Sequence, residues 1–138
     1  MPTGYSGTPL AKKLGVADGQ RSWRFAMPAS VAEEIARGGA SPLLLKSLAG
    51  NLQMAHLFVT RRSDLATLLA RVRSVLAQDG IIWVSWPKKA AKIPTDITDD
   101  TIRAEAFPLG LVDIKVCAVD EVWSGLKLVI RKSHRTDT

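Results

Sequence analysis

The chain has one cysteine, Cys117, among 138 residues. That excludes an internal disulfide and any zinc site built from several cysteines. No stretch is long and apolar enough to cross a bilayer as a helix, which takes roughly 18 or more unbroken apolar residues. No membrane contact is therefore expected. Met1 to Thr8 lacks the charged-then-apolar layout of a secretion signal, so the expected location is cytoplasmic. There is no internal repeat, low-complexity tract or dividing linker. No phosphate loop of the Walker type occurs. Ser85 lacks the flanking glycines of a nucleophile elbow, which argues against hydrolase chemistry. His56 and His134 have no ligand spacing to each other or to Cys117, so no metal is expected.

What is present is a chain of ordinary apolar content, 46%, long enough for one domain with a real core. The expected domain covers residues 1–132, with a flexible polar tail at 133–138. The net charge is +6 and the pI about 9.8. Arg61, Arg62, Arg71 and Arg73 lie where a helix meets solvent, and Arg131, Lys132 and Arg135 near the end. This basic balance suits nucleic acid, phosphates or acidic partners. A scattered, solvated surface is the plainer reading.

The pattern alternates between helices and strands. Thr8 can cap a short helix from Pro9 to Leu14, ended by Gly15. Arg21 to Met27 alternates, with Trp23, Phe25 and Met27 on one face, and predicts a strand. Ser30 can cap a helix to Arg37. Pro42 to Ser47 and Met54 to Thr60 read as further strands. From Ser63, the residues Leu65, Leu68, Leu69, Val72 and Leu76 recur at helical spacing. Gln78 to Gly80 then closes that helix and opens a strand to Trp86. Thr98 caps a helix to about Phe107, and Val112 to Val119 and Gly125 to Arg131 form the last strands.

This order predicts an α/β fold, a single small Rossmann-like three-layer domain. Its sheet should be mostly parallel and end in an antiparallel hairpin. Ligand crevices in such sheets form at the carboxyl ends of the parallel strands. Gly4 to Thr8, Pro28 to Ser30, Thr60 to Ser63, Ser85 to Lys89 and Asp120 to Ser124 are all expected at that rim. Tyr5, Trp86 and Trp123 should then gather on one side.

The most informative stretch is Gly80 to Lys89, where an apolar run ends in a polar, aromatic and basic corner. Trp86, Lys88 and Lys89 could stack a base or sugar and neutralise a phosphate. The alternative is a tryptophan covering the rim beside solvated lysines. Asp120, Glu121 and Ser124 could bind hydroxyls or move a proton, or simply form a polar turn. Tyr5, Ser6 and Thr8 could close over the crevice as a flap, or form a capped loop. Ser85 and Trp123 complete the candidate ligand-binding set. His56 is expected as a satisfied interior or rim histidine. Cys117 reads as a buried, inert thiol.

Two end motifs carry a resemblance. One is the opening Gly4-Tyr5-Ser6-Gly7-Thr8-Pro9-Leu10-Ala11-Lys12-Lys13-Leu14-Gly15. The other joins the Trp86-Pro87-Lys88 corner, Leu109-Gly110-Leu111-Val112-Asp113 and Trp123-Ser124-Gly125-Leu126-Lys127. Together they resemble a family of small bacterial proteins defined as a domain of unknown function. The resemblance covers most of the chain, least well Ser22 to Gln53, and implies no activity. The strand-helix-hairpin ending is also similar to the C-terminal half of class I, S-adenosylmethionine-dependent methyltransferases. That similarity implies a fold and, as a cofactor, S-adenosylmethionine. Those enzymes carry a glycine-rich turn after the first strand; here it reads Met27-Pro28-Ala29-Ser30. No acidic residue that could bind ribose hydroxyls ends the second strand.

The expected function is therefore a non-catalytic or minimally catalytic binding domain with no cofactor. It would hold a small anionic or nucleotide-like ligand, or a protein partner, at the Trp86–Lys89 rim. The alternatives are a methyltransferase with a degenerate cofactor turn and a nucleic-acid contact protein. A homodimer could form if Leu126 to Ile130 or Arg21 to Met27 lay at a sheet edge.

Overall fold

The computed structural model describes residues 8–134 of the chain. Helix α1 (Leu10–Leu14) leads to strand β1 (Arg21–Phe25), helix α2 (Ala29–Ala36), strand β2 (Leu43–Leu44) and strand β3 (Leu52–Phe58). Helix α3 (Arg62–Val75), strand β4 (Leu76–Pro87), helix α4 (Asp99–Ala106), strand β5 (Leu111–Ala118) and strand β6 (Trp123–Ile130) follow. Tyr5, Ser6 and the tail from Arg135 lie outside the described residues; Lys132–His134 forms a short 3-10 turn.

The strands form one sheet in the order β2-β1-β3-β4-β6-β5. β2, β1, β3 and β4 run parallel, and β6 is antiparallel to both β4 and β5. The expected α/β, Rossmann-like architecture with a terminal antiparallel hairpin is what the chain adopts. Residues 119–122 are too few for a crossover, so β6 turns straight back and slots between β4 and β5. The sheet edges are consequently β2 and β5. The expectation of an edge at Arg21–Met27 or Leu126–Ile130 is corrected: β1 is flanked by β2 and β3, and β6 by β4 and β5. The alternation in β1 has another cause. Ser22 is buried on one face, while Trp23 and Phe25 pack half-buried on the other.

Two apolar layers cover the sheet. On one face α3 contributes Leu65, Leu68, Leu69 and Val72, all buried, and α4 adds Ile102 and Ala106. Each such Leu or Val side chain contributes roughly 1.5–3 kcal/mol on burial. On the other face α1 and α2 bury Leu10, Leu14, Val31 and Ile35 against Met54, Phe58 and Trp83. Trp83 is fully buried, and its Nε1–H donates to the Leu14 carbonyl at 2.8 Å, tying α1 to β4.

Three local predictions are corrected. Pro9 and Pro28, not Thr8 and Ser30, are the N-caps of α1 and α2, and neither makes a side-chain cap. Proline's fixed φ suits the residue that turns the chain into a helix. Ala26 stands at φ 55°, which ends β1 and turns Met27 from the Trp23/Phe25 face to the α1/α2 layer. Finally, no turn separates α3 from β4. Leu76 is already extended and pairs with Leu52, and pairing resumes at Met54 and Ile81 after a bulge.

Candidate functional site

β4 and β5 both deliver their carboxyl ends to one rim. Pro87 closes β4, and Lys88 binds the neighbouring hairpin twice. Its backbone N–H donates to the Val122 carbonyl at 2.8 Å, and its Nζ to the Asp120 carbonyl at 2.6 Å. A 3-10 turn at Lys89–Ala91 follows, and Lys92 at φ 54° reverses the chain. The returning loop is strapped to the end of β3. Thr95 Oγ1 donates to the Thr60 carbonyl at 2.7 Å, and Asp96 Oδ1 accepts from the Arg62 N–H at 2.7 Å. Ile97 is buried as an anchor. Thr98 then caps α4, its hydroxyl accepting from the Thr101 N–H at 3.2 Å. As expected from its sequence, Thr98 is the one helix-capping side chain seen among the described α-helices.

This pinned loop and the Trp86 ring bound an open groove of about 680 Å³. One wall carries Lys89 and Lys92, both exposed and without an ion-pair partner among the described residues. The opposite wall carries Asp99 and Asp100, which bind Arg103 at 3.2 and 3.1 Å. Arg103 also binds Asp113 at 3.0 Å, so this guanidinium offsets only part of the acidic wall, while the lysine wall has no carboxylate of its own. Trp86 and Ile93 supply apolar surface between them. Such a groove can pack a flat apolar group while ammonium groups meet an anion.

The predicted residues divide between sheet faces. Trp86 pairs with Ser124, and Pro87 with Trp123, so neighbouring side chains alternate across the sheet. Trp86 packs on the α3/α4 layer, and Trp123 on the α1/α2 layer. Trp86 and Trp123 lie at the same end of the sheet, and it is the single crevice expected around them that is corrected. They share a rim but face opposite ways, because strand side chains alternate. Trp86, Lys88 and Lys89 line the groove. Trp123 meets Phe58 edge-on at 5.1 Å. Asp120 Oδ1 accepts from the N–H groups of Val122 and Trp123 at 2.8 Å each, holding the hairpin turn. Ser85 is fully buried, and Thr8 lies half-buried before α1.

Ser85 belongs to a polar interior cluster. Its hydroxyl lies 2.7 Å from His56 Nε2, and both side chains are buried. His56 stacks on Phe58, with ring centroids 4.4 Å apart. Burial pushes the imidazole pKa down to about 3, and repulsion from Arg24 adds to this. Arg24 pairs with His56 across β1 and β3, and its own pKa is lowered by burial. The Cys117 thiol is half-buried; burial pushes its pKa up, against the weaker pull of Lys13, Lys115 and Lys88. The lining contributions of Lys92, Ile93 and the Asp99–Asp100 wall went unread in the sequence. They depend on the left-handed turn at Lys92, a conformation with no signature in a lysine.

The architecture defines a class. The fold is that of class I, S-adenosylmethionine-dependent methyltransferases. Magnesium protoporphyrin IX methyltransferase from Synechocystis PCC 6803, solved with bound SAM, is 10% identical; the match covers 88% of this chain and 74% of that one, at a TM-score of 0.61. Aeropyrum pernix fibrillarin, solved with natively bound S-adenosyl-L-methionine, is 12% identical over 91% of this chain and 70% of its own, at 0.53. Precorrin-6y C5,15-methyltransferase from Geobacter metallireducens GS-15 is 10% identical over 88% and 85%, at 0.51. At such identities the likeness is one of fold alone. The chain belongs to the family described as Protein of unknown function (DUF3052), whose model matches residues 54–132. That span holds β4, the groove and the hairpin. No curated protein matches the chain in sequence.

The residues at the β1 turn do not fit S-adenosylmethionine as the class binds it. Pro28 offers no N–H there, and no glycine opens room for a close backbone approach. β2 and the residues after it read Leu43-Leu44-Leu45-Lys46, with no carboxylate for ribose hydroxyls. No helix among the described residues is long and apolar enough to cross a membrane.

Proposed function

We propose that this chain is a binding domain that takes a small anionic, nucleotide-like ligand in the groove at the end of β4. The observation that carries this is the pair of exposed lysines beside an aromatic surface on one wall of the groove. Lys89 and Lys92 stand over the Trp86 and Ile93 surface without carboxylate partners among the described residues, while the facing aspartates are held by Arg103. Trp86 would stack the flat part of the ligand, and the two lysines would meet its charge. Lys88 would contribute as a strut, since its ammonium is engaged by the Asp120 carbonyl.

Calorimetry with adenosine monophosphate as probe tests this. Binding is expected, and the Lys89→Glu/Lys92→Glu variant should lose it. No heat at millimolar nucleotide, or equal binding by the variant, would defeat the reading. The alternative ligand is S-adenosylmethionine, supported by the fold alone. Heat with that compound that is insensitive to the lysine variant would move the site to the β1 turn.

A further inference from the structure

The α1/α2 face of the sheet is unevenly covered. Both helices seal Met54, Phe58 and Trp83. Further along, the same face leaves Lys115 exposed and Val112, Cys117, Lys127 and Val129 half-exposed. Register fixes which side chains share it: Lys115 stands opposite Lys127, Cys117 opposite Gly125, and Val112 opposite Val129. None of these is acidic. Asp113, the carboxylate on β5, points to the other face, where it binds Arg103 at 3.0 Å. The irregularity between Asp113 and Lys115 changes the side-chain parity along β5.

Like charges directly opposite on adjacent strands repel. Neither Lys115 nor Lys127 has a hydrogen-bonding or ion-pair partner among the described residues. Lys13 of α1 and Lys88 at the rim extend the positive field over Cys117. Two steps along β6 from Lys127, on the same face, half-exposed Trp123 stands at the rim. Two cations stand side by side across β5 and β6, with an aromatic ring further along β6, on an open surface rather than in a pocket. A small molecule has nothing there to enclose it. A nucleic-acid strand does match it, because neighbouring phosphates can meet the two ammonium groups while a base reaches the ring.

We propose that this face of β5 and β6 binds single-stranded nucleic acid through its phosphodiester backbone. Lys115 and Lys127 each meet a phosphate, and Trp123 offers its ring to a base. The net charge of +6 favours such a partner. Lysines act as point charges here and select no sequence. The site lies on the opposite sheet face from the Trp86 groove and does not depend on it.

Fluorescence anisotropy with a labelled oligo(dT) of about 15 nucleotides, and its RNA counterpart, at roughly 50 mM salt tests this. Binding is expected to weaken steeply as salt rises. The Lys127→Glu variant turns a repulsive pair into an attractive one, so it should fold at least as well as the parent. It should nonetheless bind about tenfold more weakly, with a salt slope reduced by about one. Arg71→Glu, an equal charge change at an exposed position of α3 outside both sites, should bind the oligonucleotide as the parent does. No binding at low salt, unchanged binding by Lys127→Glu, or an equal loss in Arg71→Glu would overturn the proposal. Equal binding of poly(glutamate) with the same dependence on Lys127 would overturn nucleic acid as the occupant.

Discussion

His56 shows how a single residue can be read as interior yet carry more than packing. An imidazole buried beside a guanidinium is held neutral, so protonating it must disrupt the fold. Its pKa is about 3 in the folded chain against 6.5 unfolded. The unfolded state therefore binds the proton first as pH falls. Stability is full above pH 6.5 and declines through the window down to about 3, by roughly 1.4 kcal/mol per pH unit at most. An NMR titration should show the His56 ring still neutral at about pH 4.5, with denaturant midpoints falling as pH drops from 6.5 towards 3. A ring that titrates near its ordinary value would contradict this. Thr98 offers a second test at this scale. Replacing it with alanine removes the bond to the Thr101 N–H and should cost about 0.5–2 kcal/mol in urea unfolding. Both roles were partly legible. Thr98 stood at a readable helix start, and His56 was polar within an apolar strand. The contact to Ser85 was not legible, because it comes from the register of β3 against β4.

Among the elements, β4 was the plainest in the sequence and also held the largest surprise. Its apolar run was readable, but its early start at Leu76 was not. A bulge has no pattern of its own, and Leu76 fits the helical spacing as well as the strand pairing. Gly80 makes that bulge possible. A Cβ there would lie 2.5 Å from Leu76 Cδ1 and 2.9 Å from the Ala77 carbonyl. The Gly80→Ala variant should therefore lower the melting temperature, with a destabilisation of about 1–3 kcal/mol from overpacking. An unchanged midpoint would mean the bulge adapts freely. In the hairpin, the opposed Lys115 and Lys127 make a contrary prediction. Lys127→Glu should stabilise the fold by about 0.2–1 kcal/mol, less at high salt. A melting temperature that falls at low salt would show that the two ammonium groups do not repel. The edges were misplaced for a physical reason. Alternation signals a strand with unlike faces, and both an edge strand and an interior strand with a very short neighbour produce it.

The whole molecule is a sheet whose two faces are finished differently. The α3/α4 face is closed by a long amphipathic helix and ends in the Trp86 groove. The α1/α2 face is closed by short helices and leaves the lysine-bearing hairpin half-open. The succession of helices and strands was enough to predict the parallel order and the common rim. It could not assign side chains at that rim to faces, because one residue of register sends each to the opposite side. The two tryptophans expected in one crevice are divided for that reason.

The groove is most directly tested by mapping adenosine monophosphate onto the 15N-labelled protein by NMR. Shifts should concentrate on the Trp86 indole and the amides of Lys89, Lys92 and Ile93, leaving the Trp123 indole in place. Shifts centred on Ala26 to Ser30, or none at millimolar nucleotide, would place the binding site elsewhere or remove it.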